Sequence, residues 1–294
     1  MANSIALFES YVPILDEAYK KGSLSSVLDS NEQLVTFNRQ SKKFKVPKMS
    51  LDGLANHTRG GNYVAGAVEL TFEEKTPNYD RSRKFSVDQM DNLETAEIAF
   101  GMIAPEFLRT KVIPEVDAVR FASYYTAAAA ASNVATPANL TTGAGVKTAL
   151  RAGQNAMDNN EVPREGRYLF ITQTLLDLVK DLALTESKDI LGEFAGIVTV
   201  PQTRFYSAVT LYDGVTEGQT AGGYIKNAST GININFLIIH PTAVIQSVKH
   251  VAPKYIPADV NQSGDNDEFA YRIYGINSYL DNKVKGIYGH GAGE

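Results

Sequence analysis

The sequence predicts an α+β fold, and three stretches carry that prediction. Asp91 to Ala131 reads as one very long helix, Asn62 to Val87 alternates with the period of two that marks strands, and strand-then-helix runs follow a small-residue link at Ser132 to Gly145. The 294 residues, 44% of them hydrophobic, suggest about two domains with ample core.

The first element is an amphipathic arm over Ile5 to Tyr19, with Ile5, Phe8, Val12 and Leu15 on one side and Pro13 interrupting it. Val35 and Phe37, then Phe44 and Val46, alternate with polar residues as two short strands or one interrupted strand, and Pro47 closes the second run. Arg39, Lys42, Lys43, Lys45 and Lys48 make a basic run without an acid, which is either a solvated strand face or a contact for a polyanion. In the next stretch Val64, Gly66, Val68, Leu70 and Phe72 share one face, while Tyr63, Glu69, Thr71 and Glu73 take the other. With Arg81 to Val87 returning and Pro77 and Asn78 in the turn, this is predicted to be a long hairpin, bracketed by Arg59, Gly60 and Gly61. Two strands alone are marginal in water, so their apolar face needs another surface, such as one on a second copy of the chain.

The long helix opens on Asp91 and Glu94, spaced as a capping box. Leu93, Ala96, Phe100, Ile103 and Phe107 follow as one apolar seam. Pro105 and Pro114 each remove a helix hydrogen bond and press on the carbonyl four residues earlier, so the rod is expected to bend. Roughly 40 residues at 1.5 Å each span about 60 Å, the length of a spine. Beyond the link, Val146 to Met157 is predicted helical and Tyr168 to Thr172 a buried strand. Thr174 to Leu184 is then a helix with Leu175, Leu178, Val179 and Leu182 inward. Gly196 to Val200 and Phe205 to Leu211 are strand-like, and Gly214 to Gly231 is a Gly/Thr/Asn-rich loop. Phe236 to Ile239 is a second buried strand, with Pro241 expected in the first turn of a helix through His250. Tyr271 to Ser278 and Lys283 to Tyr288 complete the chain as strands around a turn at Asp281 and Asn282.

Composition and spacing argue against most chemistries. A net charge of −5 with mixed signs is not that of a general nucleic-acid binder, and the lack of cysteine removes disulfides, thiolate metal sites and thiol nucleophiles. There is no basic signal region and no long apolar run, so the chain is expected in the cytosol or in something assembled there. Gly143, Gly145, Lys147 and Thr148 approximate a phosphate loop, but Val146 separates glycine from lysine and Leu140 stands where another glycine is needed. Asp259, Asn261, Ser263, Gly264, Asp265 and Asp267 have calcium-loop spacing, yet Ala270 occupies the position that needs a bidentate carboxylate. His57, His240, His250 and His290 are dispersed, with His240 expected as a strand-end residue fixed by Pro241. Glu115 and Asp117 lie two apart on the spine and point to different faces, which suits solvent or interface charges better than an acid/base pair. No catalytic, cofactor-binding or metal residue is assigned, and no cofactor is expected.

The order of these elements resembles the tailed-bacteriophage major capsid proteins, whose Hong Kong-type fold is shared with encapsulins. The hairpin resembles the extended E-loop of that family, and FSVDQMDNLETA followed by EFLRTKVIPEVDAVR resembles the entry into its spine helix. GRYLFITQTLLDLV, FAGIVTVPQTRFY and FLIIHPTAVIQSVKH resemble its α/β A-domain, and YRIYGINSYLDNKVKGIYGH the strands that return to its P-domain. The resemblance divides the chain into an N-terminal arm (1–25), a first part of the P-domain (26–55), the E-loop (56–88), the spine helix (89–135), the A-domain (136–267) and the returning strands (268–294). It implies a non-enzymatic subunit that assembles with itself into hexamers and pentamers of an icosahedral shell. That shell encloses double-stranded DNA, touched without base specificity. Implied partners are a separate scaffolding protein, since fewer than about 60 residues precede the hairpin, together with a portal and a decoration protein but no membrane. The implied location is the virion, after a stage in the host cytoplasm. Some relatives cross-link a lysine to an asparagine between subunits; Lys75 is the nearest lysine, with no motif that carries the reaction over. Two other readings are an encapsulin-type compartment shell and a nucleotide-dependent α/β enzyme.

Overall fold

The structure is a computed structural model that describes residues 22–29, 44–90, 104–182, 184–262 and 264–293. Its centre is a helix, α1 (Ile113–Ala130), entered through a five-residue π-helical turn at Leu108–Val112. Pro114 sits in the first turn of α1, and the wider winding before it makes room for a ring that an α-turn would drive into the preceding backbone. The predicted start at Asp91 and Glu94, and the seam from Leu93 to Ile103, lie outside the described residues. So does the amphipathic arm.

Two sheets use α1 from different sides. Antiparallel strands β3 (Tyr79–Asp88), β10 (Asn266–Tyr279) and β9 (Val244–Ile256) form the first, in the order β3-β10-β9. Its Tyr79, Phe269, Tyr271 and Ile273 enclose Leu108, Val112 and Val116. The second has the order β11-β8-β4-β5, from β4 (Tyr168–Ile171), β5 (Gly196–Thr199), β8 (Ile234–Ile239) and β11 (Ile287–Gly291). Here Phe121, Tyr124 and Tyr125 of α1 meet Phe170, Leu237 and Ile287. The opposite face is covered by α2 (Gly143–Asn159), α3 (Gln173–Lys180) and α4 (Leu184–Leu191), which bring Val146, Leu150, Met157 and Val179 against Leu169, Ile171, Phe236 and Ile238. Covered on both faces, β8 is apolar at nearly every position, as buried strands are. Helix α2 approaches so closely that a Cβ on Gly153 would lie 2.8 Å from the Tyr288 ring. A small antiparallel pair, β6 (Val209–Leu211) and β7 (Tyr224–Lys226), projects beside the spine.

Several expectations need correction. Pro241 does start a turn, but Pro241–Ala243 is a single 3-10 turn and Val244 to Ile256 is strand, not helix. β-Branched Val244, Ile245, Val248 and Val251 favour an extended chain, and β10 offers a partner along its whole length. The two arms of the expected hairpin do not pair with each other. Strand β2 (Val68–Lys75) pairs with β1 (Phe44–Leu51), while β3 joins β10. Asn78 enforces the switch: its Nδ2 donates to the Asn277 carbonyl at 2.8 Å, and its Oδ1 accepts from the Asn277 amide at 3.0 Å. Pro47 lies inside β1 rather than closing it, opposite Phe72 on a strand whose other edge has no partner strand among the described residues. Residues Lys283 to Gly286 belong to a 3-10 turn, Asp281–Gly286, and β11 pairs with β8 instead of β10. The helix expected through Leu184 stops at Lys180, and α2 begins at Gly143, capped by Thr142 Oγ1 on the Gly145 amide.

Candidate assembly surface

The β1–β2 ribbon is the outstanding surface feature. Its register places Leu51 opposite Val68, Met49 opposite Leu70 and Pro47 opposite Phe72, so all six side chains share one face. That face is open: Met49, Leu51, Val68, Leu70 and Phe72 are each 54–68% exposed. The reverse face is polar along Lys48, Ser50, Glu69 and Thr71, until Val46 reaches Ile245, Ile276 and Leu280. Beyond the ribbon the loop closes on Asp52, whose carboxylate accepts the Ala67 amide at 2.7 Å. The tip exposes Leu54 and Val64 and stacks His57 on Tyr63, ring centroids 5.3 Å apart. The contiguous patch exceeds the scattered apolar residues of an ordinary surface and has the form of an interface.

The ribbon's base is clasped to the body. Lys75 pairs with Glu73, lies 3.2 Å from Asp281 Oδ1, and sits over the Tyr279 ring at 4.7 Å. Burial lowers the Lys75 pKa, but the hydrogen bonds to Glu73 and Asp281 outweigh it and the net shift is upward. For Asp281, burial raises the pKa, and the bonds to Glu73 and Lys75 override that and hold it below the ordinary carboxylate value. Both groups are thus charged over the neutral range, and the clasp holds there.

Glu115 and Asp117, expected in solvent or an interface, are buried. Glu115 Oε1 accepts from Tyr79 OH at 2.9 Å and Arg81 Nε at 2.7 Å. Asp117 accepts Ser23, Leu24 and Ser25 donors and lies 3.4 Å from Arg204. Their partners come from remote parts of the chain, so spacing on the helix could not reveal them.

Between β3, the π-turn and the segment from Thr203 to Lys226 is a cleft of about 1060 Å³, lined among others by Arg81, Phe107, Lys111, Tyr212 and Tyr224. Its acids are engaged, Glu115 by Arg81 and Glu106 by Arg109 at 2.6 Å. Asp213 is held down at about 2 by the Thr216 hydroxyl and the Val215 and Thr216 amides.

The remaining sequence candidates do not gather. Gly143, Gly145, Lys147 and Thr148 lie in the opening turns of α2, not in a loop, and a Cβ on Gly143 would fall 2.2 Å from the Leu178 carbonyl oxygen. Gly143 serves helix packing, Gly145 gives its amide to the Thr142 cap, and no phosphate cradle forms. Asp267 accepts from Tyr255 OH at 3.2 Å and the Ala258 amide at 3.0 Å, and Asn261 bonds the Asn266 carbonyl. Among the described residues no group of three histidines or acids converges as a metal site. His240 caps the turn at Pro241 and meets the Glu165 carbonyl at 3.1 Å, while His290 is buried against Phe236. In the basic run, Arg39, Lys42 and Lys43 lie outside the described residues, and Lys45 pairs with Glu74 at 3.3 Å.

No protein-family model matches the sequence, and no curated protein matches it. Solved structures do. A chain from Mycobacterium phage Che8 aligns with a TM-score of 0.59 and 12% identity, over 90% of this chain and 89% of that one. The bacteriophage PhiM1 mature capsid aligns at 0.58 and 13%, over 86% and 82%. A virus-like particle from Pyrococcus furiosus aligns at 0.55 and 14%, over 97% and 99%. With agreement over most of the length of each chain, the fold of this chain is the phage capsid fold.

Proposed function

We propose that the chain is the major capsid protein of a phage head, assembling with itself into hexamers and pentamers around double-stranded DNA. The observation that carries this reading is the β1–β2 ribbon, which holds a row of apolar side chains away from the body with no cover among the described residues. A shell subunit has such a surface because its neighbour supplies the other half. The reading assigns an arm, P-domain, E-loop, spine and A-domain along the chain, and makes the protein a structural component of the virion rather than an enzyme. The basic run around Lys45 and Lys48 would meet DNA phosphates without reading bases. A scaffolding protein, portal and decoration protein would be its other partners, met in the host cytoplasm during assembly. A compartment shell of the encapsulin type is the second reading, favoured by the end-to-end match to the Pyrococcus virus-like particle.

Electron microscopy of the purified protein tests the proposal. Closed shells or capsomer rings are expected, and a uniformly monomeric protein at all concentrations and salts would overturn it. Shells formed with co-expressed phage scaffold that package DNA favour the head over the compartment.

A further inference from the structure

The segment Ser23 to Asp29 packs Leu24 and Leu28 on the core of the spine, and a dense set of polar groups binds it beside them. It makes one three-residue 3-10 turn, Ser26–Leu28, and of its two fully apolar turn residues only Leu28 is buried, Val27 being 42% exposed. So short a turn has no stability of its own. Yet the amide, hydroxyl and carbonyl of Ser25 are all engaged. Its N and Oγ donate to Asp117 Oδ1 at 3.2 and 2.7 Å, and its carbonyl accepts from Gln246 Nε2 at 2.6 Å. Ser23 Oγ and the Leu24 amide donate to the same carboxylate at 2.9 and 3.1 Å.

A second tier of groups fixes these partners. Arg120 Nη1 donates to Ser25 Oγ at 2.8 Å while its Nε holds Asn277 Oδ1 at 3.2 Å. Tyr124 OH donates to Gln246 Oε1 at 2.6 Å, and Gln246 Nε2 also reaches Asp29 Oδ1 at 2.8 Å. Asp117, Gln246 and Ser25 are fully buried, and Arg120 nearly so. A carboxylate stripped of water is tolerated only where directed donors and a counter-charge replace it, and here Arg204 at 3.4 Å supplies the charge.

We propose that Asp117, Arg120 and Gln246 form a buried polar lock that fixes, in register, the point where the N-terminal stretch joins the spine. Apolar packing alone would let so short a segment slide by a residue. Four directed bonds to one carboxylate admit a single alignment. Because Asp117 also faces Arg204, the lock ties the Gln202–Arg204 turn to the same point, so the N-terminal segment, the spine and the link from β5 to β6 share one anchor. The inference is independent of the assembly reading.

Hydrogen exchange on the full chain tests it. In Asp117→Asn, one oxygen becomes a donor facing the Ser23, Leu24 and Ser25 donors, and the amides of residues 24–29 are expected to exchange about tenfold faster or more, with those of Ile234 to Ile239 unchanged. Ser25→Ala keeps the Asp117–Arg204 pair and guards against a misfolded Asp117 variant; the same local acceleration is expected at smaller size. Unchanged protection of residues 24–29 in Ser25→Ala would mean that Leu28 packing holds the segment, and would overturn the lock. So would equal acceleration of the Ile234 to Ile239 amides, which would make these residues general core supports.

Discussion

His290 shows how a single buried ring sets a pH dependence. Its Nδ1 lies 3.1 Å from Asn235 Nδ2, an amide nitrogen that offers no acceptor to a second ring proton, so the surroundings favour the neutral ring. It stacks on Phe236 at 5.1 Å, and burial holds its pKa below the usual histidine range. His240 is shifted the same way, again by burial. The unfolded chain takes up a proton near pH ~6.5, whereas the folded chain resists. Stability from these rings is therefore complete above that pH and is lost as pH falls below it. Melting temperature should decline on acidification from about pH 8 to 5, and His290→Gln should flatten part of that slope. An equally steep decline in the variant would show that His290 does not contribute. At this scale the sequence was least legible. Glu115 and Asp117 look like solvent or interface charges because their partners Tyr79, Arg81, Ser25 and Arg204 come from other parts of the chain, and only the fold brings them together.

At the scale of elements, alternation was readable and partnership was not. Val68, Leu70 and Phe72 announce a one-sided strand, and they form one. Which strand they pair with depends on Asn78 gripping Asn277, 199 residues away, and no local pattern encodes that. The run PTAVIQSVKH carries a true helix-start signal in Pro241, but one turn suffices to satisfy it, and β10 then recruits the β-branched residues that follow. The ribbon's open face allows a direct test. Burying each of Val68, Leu70 and Phe72 against a neighbour is worth about 1.5–3 kcal/mol, whereas in the isolated subunit each is more than half exposed. Replacing all three with threonine keeps strand propensity and should leave the melting temperature of the subunit nearly unchanged. Assembly, followed by light scattering, should shift to concentrations higher by at least about a hundredfold, since 2.7 kcal/mol already corresponds to that factor. A variant that assembles normally would assign the contact to another surface.

Across the whole molecule, α1 belongs to two cores at once. Val116, with Val112 of the π-turn before it, packs with Phe269 and Ile273, and a turn or two later Phe121 stands 5.3 Å from Phe170 and 5.2 Å from Phe205, ring centre to ring centre. The composition suggested about two domains, yet a shared helix couples them. Phe121→Ala should cost about 3–5 kcal/mol and lower a single calorimetric transition, because neither sheet keeps its packing without the spine. Two separated transitions, with only one displaced, would show that the halves unfold independently. Pro47 has a consequence of a different kind. An extended ribbon with a free edge invites an identical ribbon to add alongside it through backbone bonds, and repetition of that step has no natural end. On β1 the imino nitrogen leaves a gap in the row of donors along that edge. In the proposed shell, copies would thus be steered away from stacking along the β1 edge and toward meeting through the faces that carry Met49 and Leu70. Contacts of that kind carry defined angles, and defined angles are what allow a lattice of subunits to curve back on itself instead of growing as a fibre.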